Sequence, residues 1–127
     1  MKDVNWLVES YLAYLKNKQS NIRISIEDLL KDDRVDEANL EKIRLNIVDI
    51  FSKMFNISIT NKYETLREKY FIHFDKITKP WLINKLKAEE FEKEQEVIIE
   101  NIKIQEAEEL KSKFVEYYVQ IEANQER

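Results

Sequence analysis

The stretch DEANLEKIRLNIVDIFSKMF, residues 36–55, decides the fold class of this chain. Its large apolar residues recur every three or four positions, which is the period of one face of an α-helix. They are Leu40, Ile43, Ile47, Ile50, Phe51 and Met54, with Val48 and Phe55 widening the stripe. Asp36 and Glu37 place negative charge at the N-terminus of this helix, where the helix dipole favours it. We expect the helix to be central to the core.

The absence of glycine among the 127 residues extends this conclusion to the whole chain. Phosphate-binding loops, dinucleotide-binding loops and tight β-hairpins depend on glycine, whereas the interior of a helix is where glycine is costly. We therefore predict an all-α fold, a four- to five-helix bundle with a long C-terminal helix. Residues 1–127 are expected to form a single domain, of which residues 1–78 are the helical core.

The residues before the central stretch favour a second helix and a more irregular connection. Apolar residues at helical spacing predict a helix over 3–16, with Asp3 as its N-cap. In the following connection, Ile22, Ile24 and Ile26 alternate with polar residues, which is the period of a strand. Residues 25–28 then resemble a capping box for a short helix, and residues 32–36 favour a turn.

The C-terminal half favours two further helices. Residues 61–76 have an apolar face, and Thr78 is placed to cap a following helix with Pro80 in its first turn. Residues 79–123 then predict a long amphipathic helix because they contain no other proline and no glycine. If unbroken, this helix of about 45 residues would be about 65 Å long. The alternative is that it folds back near Lys93.

A helix of that length would bury its far half against a partner, which is either a second copy of the chain or another protein. Tyrosines at adjacent positions cannot both face one small core, and tyrosine is enriched at interface hot spots. We therefore predict a protein interface on this helix. Its residues are Ile98, Ile102, Leu110, Phe114, Tyr117, Tyr118 and Ile121.

Arg67 and His73 are the one pair of residues that suggests catalysis. Their spacing resembles the Arg-x(4–6)-His motif of the HEPN ribonuclease families, which are small all-α bundles that often dimerise. The resemblance covers seven residues and implies that Arg67 stabilises phosphate charge while His73 acts as general acid or base. It supplies the first alternative function, a HEPN-like ribonuclease.

Residues 53–79 supply a second alternative, a nucleic-acid-binding regulator. The segment is locally basic and its aromatic residues are interleaved with the lysines and Arg67, an arrangement that can bind a nucleic-acid strand. The acidic C-terminal part opposes broad contact with phosphates, because residues 84–127 carry seven basic and twelve acidic side chains. We therefore expect a protein partner rather than nucleic acid.

Several classes of site are absent from the sequence. The chain has no cysteine, which excludes disulfides, thiolate zinc sites and iron–sulfur clusters. Glu92, Glu96 and Glu100 share one helix side but match a solvated face better than a metal site, so we expect no metal and no cofactor. The chain also lacks a signal peptide and a membrane-spanning stretch, which favours a cytoplasmic protein without membrane contact.

Together these observations favour a small non-enzymatic helical protein that acts through protein–protein association. A homodimer, an adaptor and an inhibitor of another protein all fit this expectation. The composition does not choose among them.

Overall fold

Four α-helices make up the part of the chain that the computed structural model describes, residues 2–125 with side chains through 123. They are α1 (Val4–Lys31), α2 (Val35–Ser58), α3 (Tyr63–Glu90) and α4 (Glu94–Gln125). No strand occurs within these residues. The prediction of an all-α bundle is therefore confirmed, with the number of helices settled at four.

Short turns set the topology of the bundle. Residues 32–34, 59–62 and 91–93 are the connections, and turns of this length make consecutive helices antiparallel. The two helices α2 and α4 therefore run parallel. Their side chains meet in the same order along both, with Arg44 on Glu106 and Phe55 near Phe114.

The centre of the core is a cluster of four aromatic rings, one from each helix. Tyr11, Phe55, Tyr70 and Phe114 are each fully buried. The Tyr11 ring centroid lies 4.7 Å from that of Phe55, 5.6 Å from that of Tyr70 and 5.4 Å from that of Phe114. These are edge-to-face contacts, which stabilise a core beyond the area that they bury. We call these four residues the aromatic cluster.

The hydroxyl groups of the two tyrosines in the aromatic cluster form hydrogen bonds inside the core. Tyr11 Oη donates to the carbonyl of Leu110 over 2.9 Å, and the two hydroxyl oxygens lie 2.7 Å apart. Tyr70 therefore donates to Tyr11. Burial raises the pKa of both hydroxyls above the usual value for tyrosine, so both stay neutral across the physiological pH range.

The central helix predicted from residues 36–55 is present as α2. Its large, fully buried side chains are Ile47, Val48, Phe51 and Phe55. The core therefore contacts the side of the stripe on which Val48 and Phe55 lie. Leu40, Ile43, Ile50 and Met54 are half-buried on the other side of the stripe.

The predicted break in the first helix is wrong, because α1 continues to Lys31 without a connection, an extended segment or a second N-cap. Asp3 is the N-cap as expected, since its carboxylate accepts from the backbone N–H of Trp6 over 3.0 Å. Ile22 and Ile26 are buried and lie four residues apart, while Ile24 is 56% exposed. Ile22 and Ile26 therefore lie on the buried face of a helix and Ile24 lies on its exposed side, so the three residues are not part of a strand.

The predicted start of a new helix at Thr78 is also wrong. Pro80 lies inside α3, which runs from Tyr63 to Glu90. Thr78 Oγ1 donates to the carbonyl of Phe74 over 2.7 Å, a bond within the helix rather than a cap. Trp81 packs against the core beyond the proline, with its ring 6.4 Å from that of Phe51.

The C-terminal segment folds back near Lys93, which the sequence left as an alternative to an unbroken helix. The long helix over 79–123 is replaced by the end of α3, a turn at 91–93, and α4. At 32 residues α4 is still the longest helix. It packs on α1, α2 and α3 through its core-facing residues.

Two of the turns use a left-handed residue that is not glycine. Asp33 has φ 56° and Glu92 has φ 55°. Each follows a helix end at which two backbone N–H groups return to the last carbonyls, as in a Schellman motif. In each motif one bond joins residues that are five apart in the chain. The N–H of Arg34 donates to the carbonyl of Leu29 over 2.9 Å, and the N–H of Lys93 donates to the carbonyl of Ala88 over 2.8 Å. The absence of glycine is therefore accommodated at a cost in backbone strain.

We predict that Asp33→Gly and Glu92→Gly each raise the free energy of unfolding by about 0.5 to 1 kcal/mol, because glycine adopts positive φ without the Cβ clash. The measurement is urea unfolding followed by circular dichroism. The control is Glu27→Gly on the exposed side of α1, which should lower the free energy of unfolding by about 1 kcal/mol. Equal destabilisation by all three variants would contradict the assignment of the left-handed turns.

We predict that Phe114→Ala lowers the free energy of unfolding by about 3 to 5 kcal/mol, because it opens a cavity inside the aromatic cluster. Phe91→Ala is the matched control, since Phe91 is 67% exposed in the turn before α4. It should change the free energy by less than about 0.5 kcal/mol. Similar losses for the two variants, measured by the same urea titration, would show that the cluster is not the centre of the core.

Candidate interaction surface

The predicted interface residues divide into two groups in the folded chain. Leu110, Phe114, Tyr118 and Ile121 are buried in the core of the single chain. They pack against the other three helices because the fold-back at residues 91–93 gives α4 partners within the chain. These four side chains are therefore not exposed for a second protein.

The other three predicted interface residues are accessible to different degrees. Tyr117 is half-buried, with its ring edge-to-face on Trp6 at 5.6 Å. Ile98 is 45% exposed and Ile102 is half-buried. A protein contact at Ile98 and Ile102 stays a prediction.

Arg67 and His73 lie on α3 without a direct contact between them in the described residues. The Arg67 guanidinium lies 5.4 Å from the centroid of the Phe71 ring and 5.1 Å from that of Tyr118. His73 is half-buried. Hydrogen bonding to the Tyr118 hydroxyl raises the pKa of Arg67 above its ordinary value. A ribonuclease site at this pair stays a prediction.

The basic segment over 53–79 does not present all of its aromatic residues outward. Tyr70 is buried in the aromatic cluster, and Tyr63 and Phe71 are packed against the core. The segment begins near the end of α2 and includes most of α3. Nucleic-acid binding by its lysines and Arg67 stays a prediction.

The acidic residues near the start of α4 are not arranged as a metal site. Glu92 and Glu96 are exposed, whereas Glu100 is buried and its Oε1 lies 3.2 Å from Lys103 Nζ. Within residues 2–125, no group of three or more histidine, aspartate or glutamate side chains is placed to hold a metal ion.

The most deeply buried acid is Glu106, which joins three helices. Its Oε1 lies 2.8 Å from Lys18 Nζ of α1, and its Oε2 accepts from Arg44 Nε of α2 over 3.0 Å. The Lys18 contact is an ion pair without hydrogen-bond alignment. Glu41 and Glu109 add further contacts to Arg44 and Lys18, respectively. We call these five residues the ion cluster.

The two cations of the ion cluster are paired with acids of the same chain. Burial lowers the pKa of Lys18 and of Arg44, but their contacts with Glu106 and the flanking glutamates outweigh burial and leave both pKa values raised. Both cations therefore stay charged at neutral pH. The cluster links α1, α2 and α4, and each of its two cations contacts Glu106 and one flanking glutamate.

Most of the large hydrophobic side chains that stay exposed in residues 2–125 belong to α3, to α4 or to the turn between them. They are Ile72, Leu82, Ile83, Leu86, Phe91, Ile98, Val115 and Val119. Leu82 and Leu86 are four residues apart, as are Val115 and Val119, so each pair lies on one side of its helix.

A surface cleft between α3 and α4 lies beside these residues. It has a volume of about 200 Å³, and Leu82 and Ile104 are among its lining residues together with Glu108 and Lys111. A second cleft shares Glu108 and Lys111 and extends to Val115. We define the α3–α4 face as the surface formed by Leu82, Leu86, Ile104, Glu108, Lys111, Val115 and Val119.

The charged residues of α4 on the α3–α4 face form no ion pairs in the described part of the chain, unlike several other charged residues of α4. Glu108 is exposed and Lys111 is half-buried. Neither takes part in an ion pair within residues 2–125, whereas Lys103, Glu106, Glu109, Lys113 and Glu116 all do. Lys111 Nζ instead lies 4.8 Å from the centroid of the Phe71 ring, at the edge of the cleft. Asp75 of α3 is exposed and lines the same cleft, so two acids and one base lie there outside any ion pair of the described residues.

The α3–α4 face is not predicted from the sequence. The predicted interface includes residues within 110–121 because an unbroken helix over 79–123 would have no cover from α3. One feature of the sequence does indicate this face. Val115 and Val119 are four residues apart and lie on the same side of the helix as Glu108 and Lys111.

No helix in the described part of the chain has both the length and the hydropathy needed to cross a lipid bilayer. Comparisons with protein-family models, with curated proteins and with solved structures find no match to this chain.

We predict that Glu106→Gln lowers the free energy of unfolding by about 2 kcal/mol, because it leaves Lys18 and Arg44 without their shared buried anion. The flanking glutamates keep the loss below that of an isolated buried pair. Glu109→Gln is the control, since Glu109 is 58% exposed and its loss should cost less than about 1 kcal/mol. Urea unfolding at neutral pH measures both, and a smaller effect for Glu106→Gln than for Glu109→Gln would contradict the central position of Glu106.

Proposed function

We propose that this chain acts by protein–protein association and that the α3–α4 face is its docking surface. The observation that supports the proposal is the exposure of Leu82 (48%) and Val115 (38%), which line the two clefts. Leu86 (66%) and Val119 (48%) are exposed one turn further along the same sides of α3 and α4. Exposed apolar side chains that share one face of a protein are typical of binding sites for other proteins.

The physical basis of binding is the removal of these side chains from water. Apolar area contributes roughly 25 cal/mol for each Å² that is buried, so covering two leucines and two valines favours association by a few kcal/mol before the costs of binding. Glu108 and Lys111 add polar contacts that select the orientation of a partner. An adaptor, an inhibitor and a homodimer would all use the face in this way.

The proposal also accounts for what the described residues do elsewhere. The most deeply buried acid has its cations within the chain, and the tyrosine hydroxyls of the core bond to each other and to a backbone carbonyl. A surface that binds protein requires no catalytic group.

We predict that Leu82→Asp weakens binding to a protein partner by about tenfold or more, because it places a charge at the centre of the apolar face. The chain is immobilised and exposed to an extract of its source cells, and any captured protein is then purified. Isothermal titration calorimetry with purified components gives the dissociation constant for the wild type and for the variant.

The control is Ile57→Asp, which makes the same kind of change at a residue of α2 that is 64% exposed. It should leave the dissociation constant unchanged. Circular dichroism melting curves confirm that both variants are folded. If Leu82→Asp binds as tightly as the wild type, the α3–α4 face is not the docking surface.

A further inference from the structure

One row of residues on α4 has a pattern that is the same in both directions along the helix. Ile104, Glu108, Lys111 and Val115 follow one another at steps of four, three and four residues. This spacing places the four side chains on one side of the helix, as it does for the a and d positions of a heptad, with the two charged residues in the middle. The row lies on the α3–α4 face, outside the core that α4 forms with the other three helices.

The chemistry of the row is complementary to itself when one copy is reversed. An apolar residue stands at each end, with an acid and a base between them. In an antiparallel pair of α4 helices, Ile104 faces Val115 of the second copy and Glu108 faces Lys111 of the second copy. Each contact then occurs twice, as in the isologous interface of a two-fold dimer.

A parallel arrangement lacks this complementarity. It would place Glu108 against Glu108 and Lys111 against Lys111 of the second copy, and facing like charges disfavour association. Glu108 and Lys111 have no ion pair of their own in the described residues, so the antiparallel contact would break no ion pair. Lys111 is half-buried and lies near the Phe71 and Phe74 rings.

The cleft beside the row gives the second copy a place to insert a side chain. Leu82 of α3 and Ile104 of α4 both line the cleft of about 200 Å³. In the antiparallel register Val115 of the second copy lies opposite Ile104, next to Leu82. A valine side chain that enters an apolar cleft between two helices resembles the knob-into-hole packing of helix interfaces.

We propose that the partner of the α3–α4 face is a second copy of this chain, bound as an antiparallel homodimer with α4 against α4. The proposal rests on the proposed function, because it names the occupant of the same face. It fixes the register through two symmetric ion pairs between Glu108 of one copy and Lys111 of the other.

Charge reversal tests the proposal with the intact chain. The wild type is expected to dimerise at tens of micromolar in sedimentation velocity. Glu108→Lys alone and Lys111→Glu alone should each weaken the dimer by about tenfold or more, because each places like charges opposite one another twice. The double variant should dimerise nearly as well as the wild type, since it only exchanges the two members of each pair.

The control is Glu116→Lys on the same helix, because Glu116 is 64% exposed and lies outside the row. It should leave the dimer unchanged. Melting curves are measured for every variant, since Lys111 lies near the Phe71 and Phe74 rings and its loss affects stability. Rescue by the double variant excludes a folding defect as the cause of dissociation.

The orientation is tested by disulfide formation, because the natural chain has no cysteine. Ile104→Cys and Val115→Cys variants are mixed and oxidised, and the antiparallel register predicts that the mixed disulfide exceeds either symmetric one. A parallel dimer would give the symmetric products instead. Disulfide geometry requires close Cβ atoms, so the product reports direct apposition.

The outcomes separate this proposal from the proposed function. A wild type that stays monomeric at the highest concentration overturns the homodimer, as does a dimer that both single charge reversals leave intact. If Leu82→Asp still abolishes binding to a different captured protein in either case, the docking surface stands and only its occupant changes. If Leu82→Asp has no effect on any association, both proposals fail.

Discussion

The contact among Tyr11, Phe55, Tyr70 and Phe114 is the constraint on which the rest of the structure depends. Each helix contributes one fully buried ring, so the cluster sets the axial position of all four helices at once. The Tyr70 hydroxyl donates to Tyr11, and Tyr11 donates to the backbone of α4. These hydrogen bonds require specific positions of the helices, which apolar contacts alone do not. Buried hydroxyl groups that are fully bonded favour one packing over its alternatives.

The ion cluster is a second set of contacts that fixes the relative positions of α1, α2 and α4. Glu106 lies one helical turn before Leu110, whose carbonyl accepts the Tyr11 bond, so both constraints act on one side of α4. They hold that side in the core together with Ala107 and Phe114. Glu108 and Lys111 lie toward the α3–α4 cleft instead, and neither forms an ion pair in the described residues.

The all-α fold class is predictable from the sequence, whereas the ends of several helices are not. Residues 36–55 gave the correct central helix because its apolar stripe is wide and its length exceeds any strand. Ile22, Ile24 and Ile26 predict an extended segment because they alternate with polar residues, whereas in α1 Ile22 and Ile26 are buried and Ile24 is exposed. Pro80 predicts a helix start, whereas α3 continues through the proline and Trp81 packs near Phe51. The α3–α4 face was not predicted, since it exists only after α4 folds back.

By itself the sequence determined that this chain consists of helices, because it has no glycine and its apolar residues recur at helical spacing. It also determined which residues of each helix are apolar enough to be buried. The tertiary structure alone decided where the helices end and which side of α4 faces outward. The physical reason is that a helical period is a local property, whereas the choice between covering Phe114 with α3 and covering it with another protein depends on contacts between residues far apart in the chain.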